Sequence, residues 1–282
     1  MARPAPSVDR VVAVLNFFAQ HDDRGFTLTD LVRSLHLNRA TCHSLLNSLT
    51  EAGYLYRNAA KEYRMGPALA AIGRVADQAF MPITIARDDM RRLADQYDVI
   101  CLAASRVGNE IIFLERTVSR SHLNFASEPQ RRHQIRPPGG SSFIAWASEA
   151  ETKAWIEAFS PPLDARDVAE VHSMLERMRS LQYSYSIDAP TITNDPLTHM
   201  AVGWRGEGSP VTHLVPDLEP DRDYDVVYIS SPVLGVLNEV LFTLTLSAFD
   251  APLSGAKVKA IGEELRQTTA RIARALSPSL AR

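Results

Sequence analysis

The sequence predicts an α+β protein in two parts, a small helical N-terminal domain ending in a strand pair and a larger domain with a mostly antiparallel sheet. Three observations carry this reading. The chain has 282 residues, well above the commonest size of a single domain. Apolar residues recur at helical spacing up to Leu49, whereas strand-like runs first become long after Val99. Those later strands are grouped around intervening helices without a regular βαβ alternation, which favours antiparallel pairing.

Composition narrows the class. With 45% hydrophobic and 22% charged residues, the chain has material for buried cores and is neither disordered nor fibrous. No apolar run approaches the roughly 20 residues needed to span a bilayer. The opening Met1-Ala-Arg-Pro-Ala-Pro lacks the apolar stretch of a signal peptide, so a cytoplasmic protein with no membrane partner is expected. Cys42 and Cys101 form neither a metal-ligand spacing nor a disulfide framework, and no cofactor or metal is expected. The net charge of -3 divides unevenly. Residues 1–75 carry nine Arg or Lys against six Asp or Glu, and the remainder carries 21 against 27, which suggests a nucleic-acid-facing front on a body with another task.

In the front, Val8, Val11, Val12, Leu15 and Phe18 give one apolar face to a helix from about Ser7 to Gln20. His21 to Gly25 is a turn. Thr27 and Asp30 have capping-box spacing ahead of Leu28, Leu31, Val32 and Leu35, a short second helix. A third runs from about Asn38 to Ala52 with Cys42, Leu45, Leu46 and Leu49 inward and Gly53 as its stop. Two short strands, Tyr54 to Arg57 and Glu62 to Met65, then flank the Asn58-Ala-Ala-Lys61 turn. Three helices and a strand pair in this order make a winged helix-turn-helix, in which the third helix offers small polar groups to a major groove while the wing and helix N-termini hold phosphates. Arg39, Thr41, His43, Ser44, Asn47 and Ser48 suit the first task, and Thr27, Arg57, Lys61 and Arg64 the second. A small helical core with a merely solvated outer face is the competing reading.

Ser7-Val-Asp-Arg10, the run Leu28 to Leu37, the helix Asn38 to Leu49, Gly53-Tyr-Leu55 and Tyr63-Arg-Met-Gly-Pro67 together resemble the DNA-binding domain of the IclR family of bacterial transcriptional regulators, across nearly all of residues 7–75. The recognition helix departs from the family's usual Ser-Thr-x-x-Arg, reading Ala40-Thr41-Cys42-His43-Ser44. The resemblance implies operator DNA as partner and a homodimer or dimer of dimers. A helical linker follows, in which Leu69, Ile72 and Val75 mark an apolar stripe. It leads into a helix from Pro82, with the domain junction near 75–82. The division expected is 1–75 for DNA binding, 76–97 for the linker and first sensor helix, and 98–278 for the sensor.

Val99 to Ser105 and Glu110 to Glu115 flank Val107-Gly-Asn109 as a hairpin. Asp225 to Ile229 and Glu239 to Ser247 are again strand-like, with helical patterns at about 141–158 and 164–181 between and a last helix from about Ser254 to Leu276. This order is similar to the GAF-like effector domain of the same family. The family's Gly-Lys pair reads Gly140-Ser141 here, its acidic pair is reduced to Asp188, and its pocket cysteine reads Tyr228. A proline- and glycine-rich stretch, 189–225, is mainly irregular, with Val211 to Val215 as a candidate short strand.

Pro137-Pro-Gly-Gly-Ser-Ser142 is the most enzyme-like segment, since glycines before serines at a helix start suit an anion nest or an exposed nucleophile. No phosphate loop, nucleophile elbow or zinc helix accompanies it. The expected effector site is Gly139, Gly140, Ser141 and Ser142 with Phe125, Asp188, Tyr228, Ile229 and Ser230, holding a small aromatic or aliphatic acid or a neutral relative. A plain helix cap by Ser141 is the structural alternative. The function expected is a non-enzymatic DNA-binding regulator under small-molecule control. Two alternatives stay open: a hydrolase or binding protein using Gly139 to Ser142, and a ligand-blind regulator whose second domain only oligomerises.

Overall fold

The computed structural model describes residues 5–19, 21, 24–79, 81–122, 132–187, 211 and 213–280. The chain divides into two compact units, Met1–Met81 and Pro82–Arg282.

In the first unit, α1 (Pro6–Ala19), α2 (Leu28–Leu35) and α3 (Arg39–Glu51) enclose a core with a three-stranded sheet of order β1 (Phe26–Thr27), β3 (Glu62–Met65), β2 (Leu55–Arg57). The strand β1, which the sequence does not signal, adds Phe26 opposite Tyr63. Val14, Phe18, Phe26, Leu31, Cys42, Leu46, Leu49, Leu55 and Tyr63 are buried together. The inward face of α1 is therefore rotated from the expected one: Val8 and Val12 are 57% and 47% exposed, and Val14 is buried beside the expected Phe18. Leu45 of α3 is only half-buried. The capping box of α2 is present, with the Asp30 amide donating to Thr27 Oγ1 at 3.3 Å and the Thr27 amide donating to Asp30 Oδ2 at 2.9 Å. Helix α3 is capped by Asn38, whose Oδ1 accepts from the Thr41 amide at 2.8 Å. The unit closes with α4 (Pro67–Ala79). Its Leu69 is half-buried while Ile72 and Val75 are exposed, so the expected buried stripe is only partly covered among the described residues.

The second unit is built on a six-stranded sheet of order β6 (Arg132–Gln134), β5 (Glu110–Val118), β4 (Ile100–Val107), β10 (Val240–Ser247), β9 (Val226–Leu234), β7 (Ser184–Ile187), and every pairing is antiparallel. A separate pair joins β8 (Asp223–Tyr224) to β11 (Leu253–Ser254). Strand β9 runs through Ser231-Pro232-Val233. Pro232 is tolerated because β7 ends opposite Ser230, so past that point β9 has β10 alone as partner.

One face of the sheet is covered by α9 (Gly255–Leu280), tied to β9 by a 2.8 Å contact between Ser231 and Thr269 hydroxyls. Helix α5 (Met81–Tyr97) is bound to α9 by Arg92 with Glu264 at 2.6 Å and Asp89 with Arg271 at 2.7 Å. Over the other face lies α6 (Ser141–Ile144), against which α7 (Glu149–Glu157) and α8 (Ala165–Leu181) pack. The single helix expected over 141–158 is thus two. Ser148 opens its own capping box with Glu151, which starts a new helix after a break at Ala145 to Ala147. Within 211–215, Leu214 makes one bridge with Ser186 rather than a strand.

Candidate DNA interface and effector face

The exposed surface of α3 is polar by construction. Cys42, Leu46 and Leu49 fix its inner side, so residues a turn apart on the other side, Arg39, His43 and Asn47, stand in solvent with Ser44 and Ser48 beside them. Asn47 Nδ2 lies 3.4 Å from His43 Nδ1. Thr41 is half-buried and its amide is spent on the Asn38 cap. On the wing, Asn58 holds the turn by accepting from the Glu62 amide at 2.9 Å, and Lys61 adopts φ 63° at the tip. Arg57 lies over the Tyr63 ring at 5.4 Å, which steadies a cation at the wing base. Arg64 is half-buried, and the Thr27 hydroxyl is committed to Asp30 at 2.7 Å.

In the second unit, α6 packs over β9 and β10. Gly140 precedes it at φ 80° with no side-chain cap, and a methyl group there would lie 2.8 Å from Ile135, so both backbone and space require glycine. Ser141 is therefore not the cap of α6. Among the described residues no protein acceptor meets the amides of Gly140, Ser141 and Ser142. Trp155 Nε1 donates to the Gly139 carbonyl at 3.0 Å and anchors this turn from α7.

The two serines face inward. Ser142 Oγ lies 2.9 Å from Ser184 Oγ on β7, and the Ser141 side chain is hydrogen-bonded to Tyr228. Burial pushes the Tyr228 phenol up to about 12, against a smaller opposite effect of Ser141, so it is a neutral hydroxyl throughout the physiological range. Ser230 pairs with Thr245 at 2.8 Å. Neither Ser141 nor Ser142 has a histidine or carboxylate as hydrogen-bond partner among the described residues. No group of three or more His, Cys, Asp or Glu suited to a metal occurs among the described residues, and no described helix is long and apolar enough to cross a membrane.

Residues 7–59 match the family model of the IclR helix-turn-helix domain. The chain is 22% identical over 272 residues to the HTH-type transcriptional regulator XynR of Escherichia coli, covering 96% of each. It is 22% identical over 191 residues to KipR of Bacillus subtilis, covering 67% of this chain and 76% of that one.

Residues 7–59 are an IclR-type helix-turn-helix domain.

Solved structures agree in fold. An IclR-type regulator from Alicyclobacillus acidocaldarius superposes with TM-score 0.69 at 17% identity, over 96% of this chain and 99% of that one. An IclR homologue from Microbacterium hydrocarbonoxydans, complexed with 4-hydroxybenzoate, gives 0.63 at 18% identity, over 95% and 99%.

The α3 and wing residues named from sequence fall on exposed surface, with the exceptions of half-buried Thr41 and Arg64 and of Thr27, whose hydroxyl is occupied. Of the effector residues, Ser141, Ser142, Tyr228 and Ser230 share the α6 side of the sheet. Ile229 does not. It alternates with Tyr228 and Ser230 and shares its face with Ser231, which contacts α9. Phe125 and Asp188 lie outside the described residues, as does Trp204. The sequence reading missed Ser184 and Ser186 on β7 and the hydroxyls of β10, although the alternation of Thr243, Thr245 and Ser247 with Phe242, Leu244 and Leu246 is visible in the sequence.

Proposed function

We propose that a small effector held against the α6 side of the sheet sets the affinity of α3 for operator DNA, with residues 1–75 binding DNA, 76–97 linking, and 98–278 forming a GAF-like sensor domain. The observation that carries the effector half is the cluster of hydroxyls and acceptor-free amides at Gly140 to Ser142, enclosed where a sheet and helix would ordinarily meet through apolar side chains. A regulator whose second domain only oligomerised would gain nothing from burying such groups, which cost free energy unless paired. The effector is read as small and partly apolar, a reading supported by the Microbacterium neighbour, which is complexed with 4-hydroxybenzoate.

DNA recognition rests on the IclR helix-turn-helix match together with Arg39, His43, Ser44, Asn47 and Ser48 on the exposed side of α3, and Arg57 and Lys61 on the wing. The absence of the family's usual arginine at Ser44 points to an operator read through Arg39 and smaller polar groups. Assembly as a homodimer or dimer of dimers is supported by the family resemblance and by exposed Ile72 and Val75 on α4. The coupling is a population shift, in which the ligand favours whichever arrangement it binds better. Selection of a binding site from a random duplex library tests the DNA half, and failure to enrich any sequence at low salt would count against it. Ser142→Trp tests the sensor half: it should remove the ligand response while leaving ligand-free DNA binding intact.

A further inference from the structure

Two hydroxyls on β10 have no hydrogen-bond partner among the described residues. Thr243 Oγ1 and Ser247 Oγ are inaccessible, and neither meets a hydrogen-bonding atom among the described residues. Between them, on the same face of the strand, Thr245 is paired with Ser230. Ser247 lies opposite Tyr228, and Ser186 lies opposite Tyr228 on the other side, so the row continues across β9 to β7. This is the face that α6 covers, since Ser142 reaches Ser184 and Ser141 reaches Tyr228 on it. Buried hydroxyls are nearly always paired. Two unpaired ones beside paired neighbours mark a surface built to hydrogen-bond something other than this chain.

The chemistry of the row defines what it would take. A hydroxyl both donates and accepts, but it supplies no full charge to offset a carboxylate drawn out of water. The cationic groups that share this face by strand register are occupied: Arg106 is held by Glu151 at 3.0 Å, and Arg116 and His133 are already engaged. Leu102 and Phe113 supply apolar surface beside the row. We infer that the effector is an uncharged molecule carrying hydroxyl or carbonyl groups on an apolar frame, and that Thr243 and Ser247 select it. This rests on the effector reading of the α6 face and names its ligand class.

The test uses full-length protein, calorimetry and thermal melting. The neutral probes are catechol and 4-hydroxybenzyl alcohol, and the charged ones are benzoate and 4-hydroxybenzoate. Expected is binding of a neutral probe at least about tenfold tighter than the acid of similar size, weakened about tenfold by Thr243→Val or Ser247→Ala and restored by Thr243→Ser. The ligand-free melting temperature of both variants should equal or exceed that of the parent, because the lost hydroxyl serves no bond of the fold. Lower ligand-free melting in both would show that the hydroxyls are satisfied internally and overturn the inference. A preference for the acids, or parental affinity in both variants, would overturn it while leaving the effector face standing. If no probe in either set altered melting or DNA binding, the effector reading beneath it would fall.

Discussion

Gly66 passes so close to Gly53 that a methyl group on Gly66 would stand 2.2 Å from the Gly53 carbonyl oxygen. The contact closes the first unit: the Gly66 amide donates to the Tyr54 carbonyl at 2.7 Å, and the Ala68 amide donates to the Gly53 carbonyl at 3.1 Å, joining the end of α3 to the start of α4. Backbone on both sides leaves no flexible side chain to yield. Gly66→Ala should therefore destabilise the N-terminal unit by about 1–3 kcal/mol or more, seen as a lowered melting temperature. A parental melting curve would show that the two segments can separate without cost.

Arg39→Ala and His43→Ala should weaken operator binding without changing stability, because both side chains stand in solvent on α3. Leu46→Ala should instead cost about 2–5 kcal/mol of stability, as the side chain is fully buried. Lys61→Ala should reduce the slope of log affinity against log salt by about 1 if the wing tip meets one phosphate. Parallel melting and DNA titrations of these variants separate the two faces of the helix.

The capping box gives α2 a pH dependence. The Thr27 side-chain hydrogen bond, followed by the Thr27 amide, holds the Asp30 carboxyl below its ordinary 3.8. A depressed carboxyl contributes stability that is present above its unfolded pKa and is lost as pH falls through the folded value. The difference in melting temperature between parent and Thr27→Ala should thus be constant near neutrality and shrink on acidification below about pH 4. A difference independent of pH down to 2 would mean the carboxylate is not the partner.

Tyr228 should remain unionised well after exposed tyrosines have titrated. Its raised value, about 12, follows from burial, so its contribution to stability is full below the ordinary tyrosine value near 10 and is lost as pH rises through the folded one. Ultraviolet titration of the parent against Tyr228→Phe should show one late phenolate missing from the variant. The same variant should lose the Ser141 contact and about 0.5–1.5 kcal/mol of stability.

Legibility followed the kind of signal each element carries. The capping box at Thr27, the Asn38 start of α3 and the hairpin of β4 and β5 were readable because local chemistry decides them. The inward face of α1 was not, since Val8, Val11 and Val12 are as apolar as Val14 and only tertiary packing chooses among them. The strands β1, β6, β8 and β11 have two or three residues each and owe their existence to partners far along the chain. At the effector face, Gly140 and the two serines announced themselves through a turn motif. Ile229 was misplaced because a short apolar strand does not reveal which parity looks toward α6, and Thr243 and Ser247 lacked meaning until Ser142, Ser184, Ser230 and Thr245 fixed that side.

The bond from Trp155 to the Gly139 carbonyl gives the proposed effector site a built-in optical probe. The indole is buried, and its N–H is tied to the residue adjoining Gly140. A ligand that draws the Gly140 turn away from α7 lengthens that bond and changes the polarity felt by the ring. Its emission should then follow occupancy in real time, with no label attached and no DNA present. Trp155→Phe, measured beside the parent, isolates this signal from the chain's other two tryptophans, Trp146 and Trp204.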